Sequence, residues 1–62
     1  MSKLKSRLPQ LFSVEEIAER FGVSTKTVRR WIASGELRAH RLGRQIRIAE
    51  EDAIAFMATR RR

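Results

Sequence analysis

His40 is the only imidazole in the chain, and there is no cysteine. One histidine among scattered carboxylates makes neither a metal-ligand set nor the hydrogen-bonded base that activates a serine, and no glycine-rich phosphate loop is present. No metal, no cofactor and no enzymatic activity are expected. What remains is cationic chemistry. The 14 Lys and Arg stand against 7 Asp and Glu, a formal net charge of +7, which suits a polyanionic partner. The placement of that charge is more informative than its sum. Glu15, Glu16 and Glu19 fall together, as do Glu50, Glu51 and Asp52, whereas Lys26, Arg29 and Arg30 share a segment with no acid. A second basic stretch holds Arg38, Arg41, Arg44 and Arg47, with only Glu36 nearby.

These cations need elements to aim them. A chain of 62 residues with 42% hydrophobic content holds one small domain, too apolar for a disordered basic tail. Residues 1–11, with Lys3, Lys5 and Arg7 ahead of Pro9, read as a basic flexible arm; residues 12–58 read as the domain, and residues 59–62 as a basic tail. Ser13-Val14-Glu15-Glu16 is a capping box, with Phe12 and Ile17 as its staple, and it predicts a helix from Val14 to Phe21 ending at Gly22. Ser24 caps a second helix from Thr25 to Ser34, stopped by Gly35. Two short helices about a glycine turn make a helix-turn-helix.

Between Leu37 and Ile48 the period changes. Gly43-Arg44 fits a type II′ hairpin turn, and Ile46 and Ile48 alternate with Gln45 and Arg47 as in a half-buried strand; the direction of Leu42 is open. A third helix follows, acidic at its start and apolar at Ala53, Phe56 and Met57. The fold expected is mainly α, with three helices and a two-stranded β-hairpin wing.

On the second helix, Val28, Trp31 and Ile32 form a core stripe that turns Lys26 and Arg30 outward. A helix of this kind fits the major groove of double-stranded DNA by its N-terminal half, where Thr25, Lys26, Thr27 and Arg30 lie, with Lys26 and Arg30 suited to base edges. Ser24, Thr25 and Arg29 suit phosphates, the first two because a helix N-terminus offers free amides to anions. Arg44 at the hairpin tip can reach a minor groove or its phosphates, flanked by Arg41 and Arg47. Each cation also has a plainer reading, as part of a solvated face. Trp31 is expected in the core, not as a stacking platform, and His40 at the surface or a strand edge.

Taken in order, Gly22-Val23-Ser24, Thr27-Val28-Arg29-Arg30-Trp31, Gly35-Glu36-Leu37, Leu42-Gly43-Arg44 and Ile48 leading to Glu51-Asp52 resemble the excisionase-type helix-turn-helix domains related to the DNA-binding heads of the MerR family. The similarity runs from Phe12 to Met57. It implies a winged helix-turn-helix, with the helix of Lys26, Thr27 and Arg30 in the major groove and Gly43-Arg44 at the minor groove. Ala49 stands where members often have proline, so a looser wing-to-helix junction is expected. The chain ends soon after its third helix, where MerR regulators continue, so no small-molecule effector is expected.

The resemblance further implies an architectural DNA-binding protein that binds side by side on repeated sites, bends DNA and assists an integrase. A small transcriptional regulator would use the same contacts. An RNA-binding or protein-interaction module would want exposed aromatic platforms, and Phe12, Phe21, Trp31 and Phe56 all fall at core positions. No apolar run approaches the roughly 18 residues of a membrane span, and no secretory signal is evident, so the expected location is cytoplasmic.

Overall fold

The computed structural model describes residues 10–60. In chain order the elements are β1 (Leu11–Phe12), α1 (Val14–Phe21), α2 (Thr25–Ser34), β2 (His40–Leu42), β3 (Gln45–Ala49) and α3 (Glu50–Arg60). The helix-turn-helix begins with the capping box: the Glu16 amide donates to Ser13 Oγ at 3.0 Å, and the Ser13 amide donates to Glu16 Oε1 at 2.8 Å. It turns at Gly22, whose φ of +71° is strained for any residue with a Cβ. There the Val23 amide reaches the Ala18 carbonyl at 2.9 Å and the Gly22 amide reaches that of Glu19 at 3.2 Å, so the last carbonyls of α1 are satisfied within one turn. α2 starts one residue later.

That tight turn packs α2 against α1 around one core. Val14, Ile17 and Ala18 from α1, Val28 from α2, Ile48 from β3, and Ala53 and Phe56 from α3 are buried together with Leu37 from the connection. Leu37 lies in no strand; its amide donates to the Trp31 carbonyl at 3.2 Å, so the loop itself plugs the core. β2 therefore begins only at His40. The hairpin pairs His40 with Arg47, Arg41 with Ile46, and Leu42 with Gln45.

The sheet has three strands, not the two of the expected wing, in the order β1-β3-β2. Leu11 pairs with Ala49 and Phe12 with Ile48, so Leu11 belongs to the domain and not to a flexible arm. The reason is backbone satisfaction: β3 extends past the end of β2, and its outer residues need partners. The Glu50 amide, first in α3, likewise donates to the Gln10 carbonyl at 3.0 Å. The junction at Ala49, expected to be loose, is buried and tied to β1.

α3 also corrects the sequence reading. It runs to Arg60, so residues 59 and 60 are helical and not tail, with Thr59 Oγ1 donating to the Phe56 carbonyl at 2.8 Å. Met57, grouped with the core by its spacing, is 56% exposed: no element among the described residues packs over that side of α3. Trp31 is half-buried; its ring lies 4.7 Å from that of Phe56, and Phe21 stacks on Phe56 at 5.9 Å. Leu42 points to solvent. The expectations for Met1 to Pro9 and for Arg61 and Arg62 lie outside the described residues.

Candidate nucleic-acid interface

α2 is aimed by its cap. The Thr27 amide donates to Ser24 Oγ at 3.1 Å, and the two hydroxyls of Ser24 and Thr27 lie 3.1 Å apart. Both side chains are therefore committed to starting the helix, and Thr27 is half-buried. This narrows what either hydroxyl can offer a ligand. Thr25, Lys26, Arg29 and Arg30 remain exposed on the turns that follow. At about 100° per residue, Lys26 and Arg30 lie some 40° apart, and Arg29 sits on the other side of Lys26 by roughly 60°. Buried Val28 holds this face outward.

The wing is aimed by its turn. Gly43 has φ of +66°, and among the described residues only glycines take positive φ, so Arg44 does not. Left-handed first, ordinary second is the pattern of a type II′ turn, which matches the right-handed twist of the flanking strands. Arg44 is carried at the tip, exposed. Behind it, Arg47 is half-buried, with Nη1 donating to the Ile46 carbonyl at 2.9 Å and Nη2 to the Gln45 side chain. Two of its five donors hold the guanidinium in place.

Between helix and wing lies an open crevice of about 200 Å³, lined by Arg29, Arg44, Gln45, Ile46 and Arg47 with Val14 and Glu15 at the start of α1. The fold thus brings together Arg29, Arg44 and Arg47 from segments distant in sequence. Thr25, Lys26, Thr27 and Arg30 do not line it: Thr25, Lys26 and Arg30 are exposed on α2 and Thr27 is half-buried, while Ser24 sits at that helix's start and Arg41 lies exposed on β2. Three guanidinium groups around a cleft this size suit an anionic oxygen cluster such as a phosphate diester.

Two residues of the crevice were missed from the sequence. Gln45 was read only as the polar half of an alternation, yet it steadies Arg47. Glu15 was read as one of a segregated group of acids, yet it is the acid placed among the arginines; its position in the first turn of α1 was legible, and its neighbours across the fold were not. The remaining acids do stand apart. Asp52 meets His40 on the outer strand and Glu36 pairs with Arg60. Among the described residues no group of His, Cys, Asp or Glu is arranged to hold a metal ion, and no helix is long and apolar enough to cross a membrane.

A helix-turn-helix with a hairpin wing, the two framing a cationic crevice, defines a winged helix-turn-helix domain. Residues 11–61 match the family model described as the helix-turn-helix domain. Over 51 residues the sequence is 51% identical to an excisionase of Mycobacterium phage D29, covering 81% of this chain and 91% of that protein. The chain belongs to the excisionase-type helix-turn-helix family. It is also 41% identical over 49 residues to uncharacterized proteins of Mycobacterium bovis and Mycobacterium tuberculosis, covering 79% of this chain and 43% of theirs.

Proposed function

We propose that this chain is a sequence-specific, architectural binder of double-stranded DNA that acts as an excisionase, the directionality factor of a site-specific recombination system. The observation that carries the reading is the crevice: Arg29 of α2 and Arg44 and Arg47 of the wing converge on one opening beside the outward face of α2. With α2 in the major groove, Thr25, Lys26, Thr27 and Arg30 meet base edges, and a phosphate of the flanking backbone enters the crevice. Ser24, Arg29, Arg41 and Arg47 serve phosphates, and Gly43-Arg44 meets the adjacent minor groove. The excisionase of phage D29, similar over most of both chains, supports the same reading.

A single module of this kind covers on the order of 600 to 1,000 Å² of DNA, too little to select one site in a genome. Neighbouring protomers bound side by side supply the remaining contacts and bend the duplex between them. The bent assembly is what an integrase uses to excise, and the strand chemistry belongs to the integrase.

The experiment is a recombination assay with the cognate integrase, run in both directions with and without the protein. Stimulated excision or suppressed integration is expected. If neither rate moves while duplex binding persists, the protein is a transcriptional regulator using the same contacts. If duplex and single-stranded oligonucleotides bind equally, the DNA reading itself is wrong.

A further inference from the structure

The other side of the molecule is unusual for so small a domain. Ile54 and Met57 are 59% and 56% exposed, three residues apart on α3. Beside them an open hollow of about 450 Å³ is walled by Phe21, Trp31, Phe56 and Met57, with Arg20 and Arg60 on its rim. A second depression, about 220 Å³, shares Arg20, Phe21 and Met57 and continues to Phe12 and Ile54, with Glu50 at its edge. Aromatic and aliphatic surface left open to water in one continuous groove marks a place where something else binds.

We propose that this groove docks an acidic amphipathic helix of a partner protein. The charges at the hollow select the occupant. The Arg60 guanidinium lies 4.8 Å from the centre of the Phe56 ring and 5.8 Å from that of Trp31, and the Arg20 guanidinium lies 4.8 Å from the Phe12 ring. Each cation therefore lies against an aromatic ring. Arg60 is already paired with Glu36, so a carboxylate at this position has a working precedent in the fold, and a partner's acid would exchange with that of Glu36. A second copy of this chain would bring another net +7 against the same arginines, and the chain's own first residues carry Lys3, Lys5 and Arg7. An acidic partner is the one favoured by charge. Its shape follows from α3, where Ile54, Met57 and Arg60 make an i, i+3, i+6 row about 9 Å long, a match for two turns of a helix laid in a groove.

The groove and the cationic crevice have no residue in common. Trp31 leaves α2 about 100° round the helix from Arg30. A partner can therefore sit in the groove while the crevice is occupied, and this proposal stands or falls apart from the DNA reading.

Trp31 is the only tryptophan, so its emission reports the groove directly. The probe is a synthetic peptide of about 15 residues, long enough for a helix, with leucines on one face and glutamates on the other. Titration should give a saturable blue shift of the Trp31 emission. Met57→Asp should weaken that binding about tenfold or more while duplex affinity stays as in the parent, and Arg20→Glu should weaken it similarly. An equal response to a peptide of the same composition with the leucines scattered around the helix would overturn the proposal, as would an unchanged affinity in Met57→Asp. A concentration-dependent shift of the protein alone, accompanied by dimer in sedimentation, would assign the groove to a second copy and overturn it too.

Discussion

His40 Nε2 lies 3.5 Å from Asp52 Oδ2, joining the outer strand of the wing to the first turn of α3. The wing has its own hairpin bonds to β3, and this contact adds a link from β2 to a helix. The His40 side chain is 47% accessible and that of Asp52 19%, so water screens the pair and its energy is small. His40→Ala should cost under about 1 kcal/mol of global stability. The effect should appear locally, as faster amide exchange in β2 than in β3. Uniform acceleration across the domain would show that the pair does not act on the wing in particular.

Ser13 governs entry into the helix-turn-helix. Its hydroxyl accepts from the Glu16 amide, and its own amide is held by the Glu16 carboxylate. Ser13→Ala should lower unfolding free energy by about 1 kcal/mol, measured by urea titration, because one amide of α1 loses its partner. Ser13→Asp should restore most of it. A loss as large for Asp as for Ala would mean that the cap is not the operative feature.

Base contacts and phosphate contacts predict different losses on DNA. Arg30→Ala or Lys26→Ala should cost about 1 to 3 kcal/mol at the cognate site and relax discrimination there. Arg29→Ala, in the crevice with Arg44 and Arg47, should weaken every duplex alike and flatten the salt dependence by about one unit of slope. Fluorescence anisotropy on cognate and random duplexes across a salt series separates the two patterns. Equal loss on both duplexes after Arg30→Ala would refute its base-reading role.

Glu15 predicts a gain. It lines the crevice with three arginines but forms no salt bridge with them among the described residues, so its charge opposes an arriving phosphate. Glu15→Gln should tighten binding to random duplexes and steepen the salt dependence, by up to about one unit of slope. The substitution also removes a favourable charge from the first turn of α1, about 0.3 to 1 kcal/mol, so folding stability should fall as affinity rises. Unchanged or weaker binding to random DNA would end the argument.

The helix-turn-helix was legible because its signals are local. Ser13 with Glu16, Gly22, Ser24 and Gly35 each act within a few residues, and the bounds of α1 and α2 follow from them. The turn at Gly43-Arg44 is local in the same way. β1 was not legible, since a strand as short as Leu11–Phe12 has no period of its own and exists only because Ile48 and Ala49 need partners. The end of α3 was hidden for a similar reason: Arg60 is held there by Glu36 and by the rings of Trp31 and Phe56.

Taken alone, the order of residues determined the helices, the hairpin turn and the outward face of α2, because capping, backbone sterics and 3.6-residue periodicity act between near neighbours. Packing between distant segments is what puts Arg29, Arg44 and Arg47 in one crevice with Glu15 and leaves Trp31 and Met57 bordering an open groove. Those relations depend on which surfaces meet when the elements pack, and on which the described elements leave uncovered.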